Sequence, residues 1–304
     1  MVLKSPSRRA HCRVVSHTEM MRKISHILDS AQKACNGRKM KIELLFFAAV
    51  IAFTAPAHAN SDWTKTPGGN VRLIIDNPVQ PSPEIRGAIE INLDPGWKTY
   101  WREPGDAGVP PELDLTESTN IKSYALSFPT PHRFDDGNTH WAGYKKPISL
   151  PVTLTVADPA KPAHLKGHAF LGICETICIP VKAEFDFAVD NTKPTDPLTK
   201  TLIDSAFEQL PGQATTTFGA RSAIRKDDHV RVTVDLPSDD PNTDIFVAGD
   251  GIVGFGMSKL KDRKANNAVF SVRIISGKDK KTPPLNYTLV QGDKAVSGTI
   301  SVQE

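Results

Sequence analysis

From Asn60 onward the chain consists of short apolar runs that alternate with polar residues and are interrupted by proline or glycine. Such alternation places successive side chains on opposite faces of a strand, whereas a helix requires a period of 3.6 residues. The first half of this region has six predicted strands: Val71–Ile75, Ile85–Leu93, Ile121–Phe128, Ile148–Val156, His168–Ile173 and Val181–Val189. Short strands between proline and glycine turns are typical of an immunoglobulin-like β-sandwich.

A single predicted helix interrupts the strand pattern. After a polar segment that begins at residue 190, apolar residues recur at helical spacing from Leu198 to Leu210. Thr195 or Asp196 is the expected cap, Pro197 falls in the first turn, and Pro211-Gly212 ends the helix. Alternation then resumes and predicts Val230–Leu236, Ile245–Ala248, Val269–Ile275 and a closing hairpin of Tyr287–Val290 with Val296–Val302.

The overall prediction is a mainly β protein in which an immunoglobulin-like β-sandwich is followed by a short helix and a second, smaller β domain. We expect the sandwich to cover residues 60–190, the linker and amphipathic helix to cover 191–212, and the second β domain to cover 213–304. The remaining segment, residues 1–59, has a different composition and a different predicted role.

Residues 40–59 have the three parts of a secretory signal peptide. A charged start precedes an apolar run of eleven residues from Leu44 to Thr54, and Ala57-His58-Ala59 matches an A-x-A cleavage site. The run is shorter than the roughly 20 apolar residues that span a bilayer. We therefore expect export to the periplasm, cleavage after Ala59, and no stable membrane insertion afterwards.

Cleavage changes the charge of the protein. The complete chain carries a formal charge of +3, but residues 1–59 contain ten Lys or Arg and three Asp or Glu. The mature chain would keep 27 basic against 31 acidic residues, a formal charge of −4. A net negative charge gives no support for nucleic-acid binding, so no nucleic acid is expected among the partners.

Two cysteines remain after cleavage, Cys174 and Cys178, because Cys12 and Cys35 lie in the removed segment. In a helix their Cβ atoms would stand about 5–6 Å apart, which exceeds the roughly 3.5–4.5 Å of a disulfide. Pro180 also disfavours a continuing helix. A tight connection between two strands can bring the Cβ atoms closer, so a disulfide is feasible in an exported protein.

Three roles for this pair stay open at this point. A structural disulfide would close a loop of only five residues, worth about 2 kcal/mol against about 4.7 for a hundred-residue loop. A copper-binding or copper-delivery site would use both thiolates for Cu(I), with His168 or His140 as a third ligand. The third role is thiol–disulfide exchange, which needs no cofactor beyond the redox-active disulfide itself.

Two segments between the predicted strands are rich in aromatic residues. Residues 95–111 contain Trp97, Tyr100 and Trp101 before a proline- and glycine-rich loop, and these side chains could fill a core corner or form a wall beside the cysteines. Residues 128–144 read as a long irregular stretch that is too polar for a core. Its aromatic residues favour a flap over a reactive site; they are Phe134, Trp141 and Tyr144.

These motifs, taken in order, resemble a known family. The run Gly96-Trp-Lys-Thr-Tyr-Trp-Arg102 with Pro104-Gly-Asp-Ala-Gly108, followed by Phe128-Pro129, Phe134, Tyr144, Leu150-Pro151 and Cys174-x3-Cys178-Ile-Pro180, is similar to the N-terminal periplasmic domain of the DsbD/ScsB thiol:disulfide interchange family. The resemblance covers about residues 62–190. Residues 191–304 look like the extended N-terminal region of the ScsB branch.

The resemblance implies an immunoglobulin-like domain in which Cys174 and Cys178 form the redox pair and the segment from Phe134 to Tyr144 is a cap that opens for a partner. Expected partners are thioredoxin-like periplasmic proteins and a membrane-embedded thiol reductase, which would make the protein a possible component of a protein-disulfide reductase. Full-length members continue into a transmembrane and a thioredoxin-like domain, so this chain is expected to act as a stand-alone relay. Its C-x3-C spacing is shorter than in the best-known members, which leaves open which sulfur is attacked first.

Overall fold

The computed structural model describes residues 60–78, 80–137, 139–189 and 194–304, which belong to one compact unit. The predicted signal peptide and the segment before it lie outside the described residues, as do linker residues 190–193. No helix in the described part of the chain is both long and apolar enough to cross a bilayer.

The strands that precede the helix form the first β domain, which contains three sheets. One sheet has the order β1-β2-β3-β9-β6, a second has the order β11-β10-β5, and a small third sheet has the order β4-β8-β7. The strands are β1 (Thr64–Thr66), β2 (Gly69–Ile75), β3 (Glu84–Leu93), β4 (Thr99–Gly105), β5 (Glu112–Asp114), β6 (Ile121–Leu126), β7 (His132–Asp135), β8 (His140–Tyr144), β9 (Ile148–Val156), β10 (Ala163–Cys174) and β11 (Cys178–Val189).

All six strands predicted for this domain are confirmed, and alternation is the reason. The apolar residues of β2, β3, β9, β10 and β11 meet in one buried core between the two larger sheets. Strand β10 begins at Ala163, earlier than predicted, and continues through Gly167. At Gly167 the Asp114 carbonyl approaches so closely that a Cβ would stand 1.9 Å from it, so only glycine fits there.

The aromatic segments are more regular than the sequence suggested. The proline- and glycine-rich segment after Trp97 begins as β4, and the stretch expected to be irregular contains the antiparallel pair β7 and β8. We call β7, β8 and the turn between them the aromatic hairpin. Alternation in the sequence does not reveal these two strands, because the residues that bury their side chains lie far away in the sequence. The prediction of an irregular loop over residues 132–144 is therefore wrong.

Helix α1 (Pro197–Glu208) confirms the predicted helix and its cap. The Asp196 carboxylate accepts a hydrogen bond from the Thr199 backbone N–H at 3.0 Å, and Pro197 occupies the first turn, where no N–H is needed. Ile203 and Ala206 on the apolar face are buried against Ile74 and Ala88 of the first β domain. The helix thus covers the outer face of the five-stranded sheet.

The strands after the helix surround a separate core of residues between Phe218 and Val296, and we call this part of the compact unit the second β domain. One sheet has the order β12-β20-β19-β15, and the other has the order β16-β18-β14-β13-β21 with β17 paired to β18. The predicted closing hairpin is confirmed, with Gln291 opposite Lys294. The strands are β12 (Gly212–Gln213), β13 (Gly219–Lys226), β14 (His229–Asp235), β15 (Thr243–Ala248), β16 (Gly254–Phe255), β17 (Lys259–Lys264), β18 (Asn267–Ser276), β19 (Leu285–Gln291), β20 (Lys294–Ile300) and β21 (Val302–Gln303).

The two domains share a packed junction. Phe246 and Ala248 of β15 are buried in the core of the first β domain, and the Phe246 ring meets the Trp101 ring edge-on at 6.0 Å. Arg133 of β7 also forms a bidentate ion pair with Asp244 across this junction, with N–O distances of 2.7 and 2.6 Å. The aromatic hairpin therefore contacts the second β domain directly.

Candidate functional site

The two cysteines lie at the end of a long antiparallel hairpin. Strand β10 ends at Cys174 and β11 begins at Cys178, and the two residues stand directly opposite each other in the register. Their Cα atoms are 4.1 Å apart and their sulfurs are joined in a disulfide. The tight strand connection thus brings the Cβ atoms within bridging distance, as the sequence had suggested. We call β10, β11 and residues 175–177 the cysteine hairpin.

Hydrogen bonds with the first residue of β4 and the residue before it hold the end of the cysteine hairpin. The Lys98 N–H donates to the Cys174 carbonyl at 2.8 Å, and the Cys174 N–H donates to the Lys98 carbonyl at 2.9 Å. The Thr99 hydroxyl, which is fully buried, donates to the Gly172 carbonyl at 2.9 Å. The polypeptide around Cys174 is consequently fixed on both sides.

The two cysteine residues differ sharply in exposure. Cys174 is 1% exposed, whereas Cys178 is an exposed residue. The neighbouring Ile177 projects from the tip of the hairpin with 70% of its surface exposed. A thiol of another protein can therefore approach Cys178, while Cys174 is shielded.

Three aromatic side chains shield Cys174. Tyr100 and Trp141 are buried with it in one cluster, and Phe134 packs against that cluster. The Tyr100 and Trp141 rings meet edge-on with centroids 5.5 Å apart, and the Phe134 ring stacks on the Trp141 ring at 4.3 Å. Phe134 and Trp141 are directly opposite each other on β7 and β8, so both project from the same face of the aromatic hairpin.

Charged groups surround this aromatic pair. Asp136 accepts a hydrogen bond from the Trp141 indole N–H at 2.8 Å and forms an ion pair with Lys98. The Lys98 ammonium lies 4.6 Å from the Trp141 ring centroid, and the Lys145 ammonium lies 4.5 Å from the Phe134 ring centroid. The hydrogen bond from Lys98 keeps the pKa of Asp136 below its usual value. The hydrogen bond from Trp141 and the positive charge of Lys145 add to this effect. Asp136 is thus an anion that orients Trp141.

Tyr100 contacts the exposed cysteine directly. Its hydroxyl oxygen lies 3.4 Å from the Cys178 sulfur. Burial, and secondarily the negative charge of Asp136, raises the pKa of the Tyr100 hydroxyl above its usual value. The hydroxyl therefore keeps its proton and can donate a hydrogen bond to sulfur, which favours a Cys178 thiolate over a thiol.

The structure gathers only part of the predicted site around the sulfurs. Three of the six predicted shielding residues, namely Phe134, Tyr100 and Trp141, surround Cys174. Trp101 and Tyr144 are buried in the main core, and Tyr144 donates to the Pro129 carbonyl at 2.8 Å. Trp97 packs against the same core and lies directly over Gly68, where a Cβ would stand 2.1 Å from its ring.

The histidines considered as metal ligands do not meet the cysteine pair. His168 is six residues before Cys174 on β10, a separation of about 20 Å along the strand. His140 contacts Asp106 and Asp135, with N–O distances of 3.4 Å. No group of three or more metal-ligating side chains occurs in the described ranges. The third ligand of the copper alternative is therefore not brought to the sulfurs.

Three residues near the sulfurs were not singled out from the sequence, namely Lys98, Asp136 and Lys145. The available signal was the Asp135-Asp136-Gly137 turn between two aromatic residues, since such a turn predicts a hairpin. The partners of Asp136 could not be inferred, because Lys98 lies 38 positions earlier in the sequence.

A disulfide between one exposed and one buried cysteine at a hairpin end, beside an aromatic cover, is an arrangement compatible with thiol–disulfide exchange. Residues 73–190 match the family model described as "Thiol:disulfide interchange protein DsbD, N-terminal". The resemblance noted from the sequence is thereby confirmed for this segment.

A solved structure is similar over a longer part of the chain. It is the N-terminal periplasmic domain of ScsB from Proteus mirabilis, with 20% sequence identity and a TM-score of 0.64. The match covers 81% of this chain and 99% of the ScsB chain, and it confirms the predicted fold class. No curated protein sequence matches the chain.

Proposed function

We propose that Cys174 and Cys178 relay electrons in the periplasm by thiol–disulfide exchange with thioredoxin-like partners, and that a membrane-embedded thiol reductase restores the reduced pair. The observation that carries this proposal is the contrast between the exposed Cys178 and the 1%-exposed Cys174 beneath an aromatic cover. A purely structural disulfide needs no accessible sulfur. Periplasmic location is supported by the predicted signal peptide and by the origin of the similar ScsB domain.

In the reduced protein Cys178 would be the attacking residue. Its thiolate attacks one sulfur of the partner disulfide, a mixed disulfide forms, and the other partner sulfur leaves as a thiolate. The Cys174 thiolate then attacks the Cys178 sulfur, which forms the intramolecular disulfide and releases the second partner thiolate. The pair is oxidised by two electrons, the partner is reduced by two, and the two protons lost by the cysteines balance those taken up by the partner thiolates.

Reduction of the disulfide by the membrane reductase would follow the reverse path. A thiolate of the membrane reductase attacks the exposed Cys178 sulfur of the disulfide, and Cys174 leaves as a thiolate. A second reductase thiolate resolves the mixed disulfide, so the reductase becomes oxidised and Cys178 is released. Both half-reactions pass through Cys178 because it is the accessible sulfur.

A trapping experiment tests the relay. In the Cys174→Ala variant the resolving thiol is absent, so we expect Cys178 to accumulate a mixed disulfide with an oxidised thioredoxin-like protein, visible on non-reducing gels and by mass spectrometry. The Cys178→Ala variant should give at least about tenfold less adduct, because Cys174 is shielded. Equal trapping by both variants, or by neither, would contradict the assignment.

The reduction potential of the wild-type pair gives an independent measure. Exchange proteins have potentials between about −120 and −270 mV, whereas structural disulfides in secreted proteins are typically below about −300 mV. Equilibration with glutathione or dithiothreitol buffers, followed by thiol alkylation, measures this value. A reduction potential below about −300 mV would favour the structural role.

Replacing Tyr100 by phenylalanine should make Cys178 a weaker nucleophile near neutral pH. The substitution keeps the ring against Trp141 but removes the hydroxyl that lies 3.4 Å from the sulfur. Loss of a hydrogen bond to the charged form should raise the Cys178 pKa and slow alkylation below that pKa about three- to tenfold. The pH dependence of iodoacetamide modification should be measured in the Cys174→Ala background. An unchanged profile would exclude the proposed role of Tyr100.

We propose that the second β domain stabilises the aromatic hairpin through the face opposite to the cysteine cluster. Phe134 faces the cysteine cluster, and because side chains alternate along a strand, the preceding Arg133 faces the opposite way. There Arg133 pairs with Asp244 and donates to the Ser258 hydroxyl at 2.8 Å. Ser258 is buried and donates in turn to the Ile245 carbonyl at 2.6 Å. This network would keep the cover closed over Cys174.

Substitution of Arg133 by methionine should therefore loosen the cover without altering any group near sulfur. We expect reduction of the disulfide by dithiothreitol to accelerate about three- to tenfold, since loss of a bidentate ion pair weakens the local attachment of the cover. Arg221→Met is the matched control, because Arg221 pairs with Asp235 within the second β domain. Acceleration in both variants, or in neither, would argue against a positioning role for Arg133.

A further inference from the structure

A second candidate site centres on Arg102, which has no role in the proposed thiol–disulfide exchange. Arg102 follows Trp101 on β4, and its guanidinium carbon lies 4.7 Å from the centroid of the Phe128 ring. Its Nε atom is buried and has no hydrogen-bond partner among the described residues, and the same is true of the Trp101 indole nitrogen. The N–H donors of two consecutive residues, Trp101 and Arg102, thus lack acceptors.

Arg102 also has no carboxylate partner among the residues that the structure describes. Four other arginines of the protein form close ion pairs, with Glu90, Asp204, Asp244 and Asp235. A largely buried cation without a counter-ion is unfavourable, so such groups are normally paired with an acidic side chain or with a bound anion. Burial lowers the pKa of the Arg102 guanidinium below its ordinary value, as expected for a cation without a counter-ion nearby.

A cavity of about 330 Å³ lies beside this arginine. It is bounded by Arg102 and Phe128 of the first β domain, by Leu210 and Pro211 after the helix, and by strands β19 and β20. No Asp or Glu of the described residues contributes to its lining. Besides Arg102 and the Trp101 indole, the polar side chains around it are Ser127, Gln213, Asn286, Tyr287, Thr288, Ser297 and Thr299. Its volume is in the range that accommodates small organic ligands.

The hydrogen bonds within the cavity leave further donors available. Thr299 donates to the Asn286 side-chain carbonyl at 3.0 Å. The amide NH₂ group of Asn286 has no acceptor in the described part of the chain, and neither has the terminal NH₂ pair of Arg102. A planar guanidinium matches the geometry of a carboxylate or phosphate, because it can donate two parallel hydrogen bonds.

We propose that this cavity binds a small organic oxyanion whose carboxylate or phosphate group pairs with Arg102 and whose polar remainder contacts the hydroxyl and amide groups of β19 and β20. The ligand would supply the missing counter-charge and would bridge the two β domains. The site is independent of the exchange chemistry, because neither cysteine lines it.

Titrations of the purified protein test this site. The probes are inorganic phosphate, glycerol 3-phosphate and succinate, with glycerol as the uncharged control. The readout is the indole ¹H–¹⁵N resonance of Trp101, assigned by its loss in Trp101→Phe. We expect a saturable shift with at least one anion and none with glycerol. The phosphate and succinate arms distinguish the two oxyanions. No response to any of the three anions would overturn the proposal.

Variants separate a specific site from general attraction to positive charge. Arg102→Met retains the contact with Phe128 but should weaken the binding at least tenfold, and Arg102→Lys should weaken it severalfold because a lysine cannot form the bidentate pair. Arg273→Met removes an exposed positive charge from the second β domain and should leave affinity unchanged. Equal affinity in wild type and Arg102→Met would also overturn the site. Circular dichroism of each variant confirms that it is folded.

Discussion

The Trp141→Ala variant is expected to lose its protection of the disulfide and a large part of its stability. Trp141 is 1% exposed, stacks on Phe134, and packs with Tyr100 against Cys174. Its removal adds a path to Cys174 to the one through Cys178 and loosens the Tyr100 ring beside Cys178, so reduction by dithiothreitol should accelerate severalfold. Truncation of a buried tryptophan should also lower the free energy of unfolding by about 3–5 kcal/mol.

The matched control is Trp97→Ala. Trp97 comes from the same aromatic group in the sequence, but it packs over Gly68 and the main core instead of the cysteine cluster. This variant should lose stability without a comparable change in reduction rate. Stopped-flow reduction and urea unfolding of both oxidised proteins separate the two effects. Equal acceleration in the two variants would mean that general destabilisation, rather than the cover, governs access to the disulfide.

The second large effect concerns pH and Glu103. This residue lies at the domain junction in a small crevice lined by Trp101, Phe246 and Phe255. Burial raises the pKa of its carboxyl from an ordinary value of 4.5 to about 7, and a hydrogen bond from the Phe255 backbone opposes the rise only in part. Between these two pKa values the folded protein holds a proton that the unfolded chain has released. Stability from this group is therefore complete below about pH 4.5 and is lost as pH rises through about 7.

Replacement of Glu103 by glutamine should remove this pH dependence. Each pKa unit corresponds to about 1.4 kcal/mol, so the wild-type protein should be up to about 3 kcal/mol less stable than Glu103→Gln at pH 8 and nearly equal to it at pH 4.5. Glutamine keeps an acceptor for the Phe255 N–H. Urea unfolding at several pH values measures the difference, with Glu112→Gln as an exposed control on β5. A difference that does not grow between pH 5 and pH 8 would contradict the raised pKa.

Local patterns account for the parts of the fold that were predicted well. Long strands such as β3 and β9 place apolar residues of the main core at alternate positions, so their period is visible without knowledge of their neighbours; these are Ile89, Ile91 and Leu93 of β3 and Leu150, Val152, Leu154 and Val156 of β9. The helix was recognisable because its cap, its first-turn proline and its apolar spacing all lie within fifteen residues. The closing hairpin likewise follows from a short turn between two apolar runs.

The strands that were missed are short and depend on distant partners. Strand β4 pairs with β8, about 40 residues later, and its register is interrupted between Tyr100 and Gly105. The aromatic hairpin is covered on one face by the cysteine cluster and contacts Asp244 on the other. Neither neighbour can be identified from the hairpin sequence, so its polar residues looked like those of an irregular loop.

By itself the sequence determined the β class, the helix and its cap, and the cysteine pair at a strand connection, because these depend on residues a few positions apart. Only the tertiary structure decided that Cys174 is shielded while Cys178 is exposed, and that Tyr100, Phe134 and Trp141 form the cover. It also decided that Arg133 joins the cover to the second β domain. Exposure and contact at these positions are set by segments 33 to 111 residues apart, whose meeting depends on the packing of the whole fold.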